Sequence, residues 1–411
     1  MMLAYLDPGS GSALVGTLIA LAGALCFSLK SLFYRIVCGK KMRSGDEGVQ
    51  LALFSEGKAY WGTFQEIVEE LIARKIHFAY YTLDLRDPGL LIDSDYMHAK
   101  LFDARKATSY HKLSRVNAKV LLATTPNIGT PNYPLKRSAG IEKMVHIFHA
   151  FADISAYHIG SLDHYDVVLT VGPQQEVPIR EVEKARGLKP KVIIPVGLPY
   201  FDVQYHRLEG AVPKVQSERR TQDKPTILVG ASWGAKGLLS EYGTKFICDL
   251  AKAGYHIIVR PHPQSYIAEP DFIAKCQMET AAFENVIWDR DTTGVKAMQM
   301  SDLLISDTSS IRFDYAFLYK KPVITLEIPA EKRLEYEGQF MREIWTEKAA
   351  HRLGKVLTHQ TLPTIVEVVK DVQKAGAFVS SSSISDFRDE TMVNVGTSAK
   401  AVVEFLQKEM V

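Results

Sequence analysis

The sequence predicts an α/β chain: two Rossmann-like domains facing a cleft, with an N-terminal transmembrane helix ahead of them. Three observations carry this expectation. The chain has 411 residues, more than a single compact core of about 100–200 residues takes up. From Val49 onward, short apolar runs alternate with amphipathic stretches, as βα units around a parallel sheet require. That alternation pauses over one polar stretch, residues 209–224, and then restarts.

At the N-terminus, residues 12–29 carry no charge and would span about 27 Å as a helix, enough to cross a hydrocarbon core. Tyr5 on one side and Phe33 and Tyr34 on the other suit the two membrane interfaces. Lys30, Arg35, Lys40, Lys41 and Arg43 follow the span, whereas a secretory signal would carry its charge before it. The positive-inside rule therefore predicts a single-pass protein of the cytoplasmic membrane with its catalytic domains in the cytoplasm. Outside this cluster acids and bases nearly balance within a formal net charge of +2, which argues against a nucleic-acid partner. The cysteines are Cys26, Cys38, Cys248 and Cys276, with no close pair among them. That pattern predicts neither a metal site nor a disulfide framework, and it suits a reducing compartment.

In the first lobe the apolar runs predict strands at 49–54, 76–82, 119–123, 144–148, 166–170 and 192–196. Helical spacing appears over 61–74, through Phe64, Ile67, Val68, Leu71 and Ile72, and again over 175–184. In the second lobe strands are expected at 226–229, 255–259, 285–288, 303–305 and 323–326, with helices over 238–251, 295–300 and 311–319. A final amphipathic helix is expected over 398–407. The resulting domain map is an anchor and basic segment at 1–44 and an acceptor domain at 45–208. A linker at 209–224, a nucleotide-donor domain at 225–379 and a tail at 380–411 complete it. Two such lobes in series describe the GT-B architecture, whose ligands lie at the carboxyl ends of the strands.

Four loops at those ends stand out. In IFHAFAD, His149 directly follows an apolar run and can accept a proton near neutral pH. His146 lies inside that run, turned to the opposite face, and reads as a core or sheet residue. In VRPHPQSY, prolines on both sides of His262 fix its backbone, and Arg260 could meet either a phosphate or an internal carboxylate. In ISDTSSIRFDYA, Thr308, Ser309 and Ser310 open a helix, where hydroxyls and orphan N–H groups can cap the helix or bind an anion. In GASWGAKG, Gly230, Gly234 and Gly237 permit close backbone approach to a phosphate and Lys236 adds charge, although no GK[ST] ending is present.

These loops, in this order, together with DVVLTVGPQQ, VGLPYFD and SDTSSIRFDYAFLYKKPVI, resemble the CDP-glycerol glycerophosphotransferases, the teichoic acid glycerol-phosphate primases and polymerases. The resemblance implies a GT-B fold, CDP-glycerol as donor, a lipid-linked or polymer acceptor at the membrane, and transfer without a cofactor or metal. It also implies that His149 deprotonates the acceptor hydroxyl, which attacks the glycerol-bearing phosphorus and releases CMP. By the same resemblance His262 and Arg260 stabilise the diphosphate, and Thr308, Ser309 and Ser310 bind its oxygens; the reading of the GASWGAKG loop itself adds Gly230 and Lys236 to the donor side. That division suits a reaction governed by positioning and electrostatics. Two departures leave other donors open. Ala150, Phe151 and Ala152 follow His149 where the family usually has Gly-Thr-Pro, and Tyr200 stands where a basic residue is common. The alternatives are a GT-B glycosyltransferase using a nucleotide sugar, a nucleotide-sugar epimerase suggested by the segment 394–396, and a non-catalytic membrane scaffold.

Overall fold

Strands buried on both faces are continuous apolar runs, and such runs pair in parallel beneath covering helices. The strands of the first lobe are β1 (Val49–Ser55), β2 (Phe78–Thr82), β3 (Met97–Leu101), β4 (Ala118–Ala123), β5 (Ile141–Ile147), β6 (Val167–Thr170) and β7 (Val192–Pro195), of which the edge strands β3 and β7 are only partly covered. They form a parallel sheet in the order β3-β2-β1-β4-β5-β6-β7. The helices of this part of the chain are α1 (Trp61–Ala73), α2 (Ala107–Leu113), α3 (Glu176–Arg186) and α4 (Pro199–Gly210).

The second lobe repeats the plan with β8 (Thr226–Ala231), β9 (His256–Pro261), β10 (Val286–Trp288), β11 (Leu303–Ser306), β12 (Val323–Leu326) and β13 (Gly354–Leu357). Their order is β10-β9-β8-β11-β12-β13, again parallel. Its helices are α5 (Leu238–Tyr242), α6 (Lys245–Lys252), α7 (Ser265–Ala268), α8 (Pro270–Thr280), α9 (Val295–Met300), α10 (Ile311–Tyr319), α11 (Trp345–Leu353) and α12 (Ile365–Ala375). Helices α13 (Ser381–Thr391) and α14 (Ser398–Met410) end the chain. This computed structural model describes residues 48–411 apart from 132, 211–223, 292–293, 329–333 and 376–380. The expected membrane span, the basic segment after it and nearly all of the expected linker lie outside the described residues. Among the described residues no helix is long and apolar enough to cross a membrane.

Each sheet reverses its strand order once, between β1 and β4 in the first lobe and between β8 and β11 in the second. The loops that diverge at such a point leave a crevice, which is where open α/β sheets bind ligands. Two of the differences from the sequence expectation shape the fold most. The helix expected over 238–251 is broken into α5 and α6 at Gly243, whose φ of 63° is one that a side-chain-bearing residue rarely adopts. The chain also returns. Val402, Val403 and Leu406 of α14 are buried against the first sheet together with Phe64, Ile67 and Leu71 of α1. Buried Asp202, at the end of VGLPYFD, fixes that return by accepting hydrogen bonds from the Gly396 and Ser398 amides, both at 2.7 Å.

Candidate active site

At the carboxyl edge of the first sheet, β4 ends beside the start of the loop after β5. This places the buried Thr124 hydroxyl 3.0 Å from His149 Nδ1. The imidazole keeps some exposed surface, while the Tyr60 ring meets it edge-on at 5.0 Å between centroids. Burial pushes the His149 pKa down to about 4, so the ring is neutral near pH 7 with one nitrogen lone pair available. His146 is fully buried, edge-on to Phe148, Tyr157 and Tyr165, and neither of its ring nitrogens has a partner among the described residues. Burial, helped by nearby His149, pushes its pKa down to about 3.

The second lobe's edge is organised around Asp307, the acid of the DTSS turn. Its buried carboxylate accepts from the Ser232 amide at 3.1 Å, the Leu238 amide at 2.8 Å and the Ser309 amide at 3.0 Å. One side chain thus locks the loop after β8 to the loop after β11, across the point where the strand order reverses. The Ser309 amide is committed to that turn, and Ser310, the residue before α10, makes no side-chain cap bond. Thr308 is exposed, and Ser309 and Ser310 are half-buried. Gly230 lies within β8, where an added Cβ would come within 3.2 Å of Leu304 and 3.3 Å of Ile311. Its bareness lets the first turn of α10 sit close to the strand. Lys236 is exposed in the turn before α5.

Exposed His262 accepts a hydrogen bond at Nδ1 from the Gln264 amide at 3.1 Å. An amide can only donate, so in the neutral ring the proton sits on Nε2, which then donates outward. Burial, then the neighbouring Arg260 charge, holds its pKa below the usual histidine value. Trp233 lies over the ring at 6.4 Å, tilted 29°. Of the two partners the sequence allowed for Arg260, the structure supplies the carboxylate. Its Nη1 meets Asp289 Oδ2 at 2.6 Å and the Asp291 carbonyl at 2.9 Å.

The two edges are tied together by the loop that starts at His149. Phe151, 2% exposed, packs against Phe313 at 4.6 Å, Phe317 at 5.4 Å and Trp345 at 5.5 Å. Asp153 accepts from the Thr346 amide at 3.2 Å and from its hydroxyl at 3.0 Å. Arg186 and the Gly160 amide both meet Glu337 at 2.9 Å. The His149 loop therefore lies against the helix that begins just after Ser310. Tyr200, replacing the basic residue usual in the resembled family, faces Asp314, whose negative charge is the main reason its phenol pKa is raised. Burial pushes Asp314 itself up to about 7. Among the described residues no cluster of His, Cys, Asp or Glu could hold a metal ion.

Comparison with known families decides the class, since residues 134–407 match CDP-glycerol:poly(glycerophosphate) glycerophosphotransferase. The chain belongs to that family. This glycerophosphotransferase is also similar in fold to a wall teichoic acid polymerase, TagF, solved after soaking with CDPG. The TM-score is 0.53 at 16% identity, over 93% of this chain and 96% of that one. The UDP-GlcNAc 2-epimerase of Neisseria meningitidis, bound to UDP-GlcNAc, gives 0.53 at 14% identity over 88% and 100% of the two chains. A putative UDP-N-acetylglucosamine 2-epimerase of Listeria monocytogenes gives 0.55 at 12% identity over 87% and 95%. At these identities the likeness is one of fold, two parallel-sheet α/β lobes as in GT-B proteins. A search of curated protein sequences finds no significant match.

Sequence reading passed over three residues at the carboxyl edges of this glycerophosphotransferase's two sheets. Asp153 and Asp307 act through partners far along the chain, which no local pattern reveals. Glu56 was within reach, because it follows the apolar run of β1 after a single serine, much as His149 follows that of β5.

Proposed function

We propose that this transferase moves glycerol phosphate from CDP-glycerol to a hydroxyl of a membrane-associated acceptor, in the synthesis of a teichoic-acid-type envelope polymer. The family match over 134–407 carries the reading, because that segment holds His149, His262 and the DTSS turn. In this reading residues 45–208 take the acceptor and 225–379 the donor, with the apolar 12–29 segment holding both near the bilayer.

The Nδ1–H of His149 donates to the Thr124 hydroxyl, leaving Nε2 as the lone pair that takes the acceptor proton. The acceptor oxygen forms a bond to the glycerol-bearing phosphorus as the bond from that phosphorus to the CMP oxygen breaks. The proton ends on His149, and CMP leaves. Burial, which holds the His149 pKa at about 4, makes it a weak base by itself. A bound diphosphate, being negative, favours the imidazolium and so strengthens the base once donor is present. His262 Nε2–H and the first turn of α10, with Thr308, Ser309 and Ser310, meet the diphosphate oxygens as charge builds on them. Arg260, with Nη1 already on Asp289, contributes its positive charge beneath that site, while Gly230 and Lys236 shape and charge the loop beside it.

The test is a donor panel with the full chain in detergent and a glycerol-phosphate acceptor. Acceptor-dependent CMP release from CDP-glycerol is expected. Turnover confined to UDP-GlcNAc, by UDP release or epimerisation, would overturn the reading.

A further inference from the structure

Glu56 stands where the first sheet reverses its strand order, one residue beyond the end of β1 and on the same edge as Thr124 and His149. Its half-buried carboxylate accepts a hydrogen bond from the Tyr133 hydroxyl, and its charge adds to burial in raising the pKa of nearby Tyr60. Tyr60 is the residue whose ring meets His149 edge-on at 5.0 Å. The turn is rigid. Gly57, with φ of 140°, lies so close to Asp84 that an added Cβ would fall 2.3 Å from the Asp84 Cβ, and the Ser55 hydroxyl accepts from the Gly57 amide at 3.1 Å. A carboxylate has about four lone-pair positions, and the Tyr133 phenol occupies one of them. Nothing in the proposed phosphoryl transfer uses this group.

We infer that Glu56 is the acceptor-recognition residue, binding the hydroxyl next to the one that His149 deprotonates. The inference rests on the transferase reading above. The donor's glycerol carries its phosphate on one carbon, so every transfer leaves a new chain end with two adjacent hydroxyls. One of them is the nucleophile. The other can donate to the open side of Glu56, which fixes the rotation of the chain end relative to His149. The negative carboxylate also disfavours a phosphate at this position, so the polymer's phosphodiester lies outward and only its hydroxyl end enters. The second lobe, with Arg260, His262 and a helix N-terminus, offers the opposite charge to the donor's phosphates.

Two synthetic acceptors that differ only in the hydroxyl beside the nucleophile test this, one ending in glycerol and the other in 3-hydroxypropyl phosphate. A hydrogen bond to a charged group discriminates by at least about tenfold. The wild-type chain should therefore favour the diol by at least about tenfold in kcat/KM. Glu56→Ala should bring that ratio close to one, with the KM for CDP-glycerol unchanged. Glu56→Gln keeps an oxygen for the Tyr133 phenol and serves if the alanine variant is unstable; it should show an intermediate ratio. A wild type indifferent to the second hydroxyl, variants that keep the full preference, or a rise in donor KM alone would each overturn the inference while leaving the transferase reading intact. No CMP release by the wild type would sink both.

Discussion

In the first lobe the loops around the strand-order reversal present Glu56, Tyr60, Thr124 and His149, one acid and neutral groups that exchange protons. In the second lobe the equivalent loops present Trp233, Arg260, His262 and the DTSS turn at a helix N-terminus, groups that attract negative charge. The six strands of the second sheet follow the order of the first six in the first sheet, so topology does not make the difference. The partner of each histidine's Nδ1 does. An amide that can only donate sets His262 as an outward hydrogen-bond donor, whereas a hydroxyl that can accept allows His149 to be a base. Similar folds thus yield two different reagents, and the His149 loop packs against the second lobe through Phe151.

That contact is where the comparison breaks most easily. Phe151, next but one to His149, fills the aromatic cluster of α10 and α11, and removing a buried phenyl ring costs about 3–5 kcal/mol. Phe151→Ala should lower the urea unfolding free energy by that amount, and a loss below about 1 kcal/mol would show that the ring does not hold the lobes together. Next come the histidines themselves. His149→Ala and His262→Ala should each lower kcat at least about a hundredfold. They should part in donor affinity, with His149→Ala keeping the wild-type thermal shift by CDP-glycerol and His262→Ala reducing it. Equal donor affinities in the two variants would erase the distinction drawn between the lobes.

The limits of the sequence have physical causes. Strands covered on both faces, such as β1 and β11, are unbroken apolar runs, and their ends point to His149 and the DTSS turn. β3 is an edge strand with only Met97 buried, so its MHAKL sequence carries no apolar run and stays hidden. The helices α11, α12 and α13 were missed as well, α12 although its Ile365, Val369 and Val372 form an apolar face buried in the second lobe's core. Arg260 was legible as a cation but its partner was not, since Asp289 lies 29 positions along the chain, after another strand. The Asp307 to Ser232 lock spans 75 positions. Glu56 was missed for a different reason, because an acid before a glycine looks like an ordinary solvated turn. The return of α14 to the first lobe depends on Asp202 and on tertiary packing, which periodicity does not report.

Acid should separate the lobes further. His146 and His149 have pKa values pushed down to about 3 and about 4, against 6.5 for an unburied histidine. Folding then favours their neutral forms, a contribution fully present above pH 6.5 and lost as pH falls toward 3–4. At pH 5 the unfolded chain binds a proton at each site that the folded chain does not, which costs about 2 kcal/mol per histidine. Asp314, pushed up to about 7, works in the opposite sense, so the informative quantity is the difference between wild type and variant. His146→Phe should be as stable as wild type at pH 7 and more stable by about 2 kcal/mol at pH 5, measured by urea unfolding at both values. An equal acid loss in both proteins would mean that His146 is protonated in the fold.

The smallest effect isolates the hydroxyl on which the contrast between the histidines depends. Thr124→Val preserves shape and removes only the oxygen beside His149 Nδ1. A neutral hydrogen bond is worth about 0.5–1.5 kcal/mol, so kcat should fall by about two- to tenfold, with Thr124→Ser restoring it and the KM for CDP-glycerol unmoved. The matching change in the second lobe is Gln264→Ala. It should leave kcat unchanged, because the group that orients His262 is a backbone amide and survives any side-chain replacement except proline. A loss at Gln264→Ala equal to that at Thr124→Val would mean that the side chain of Gln264, not its amide, is what the second lobe uses.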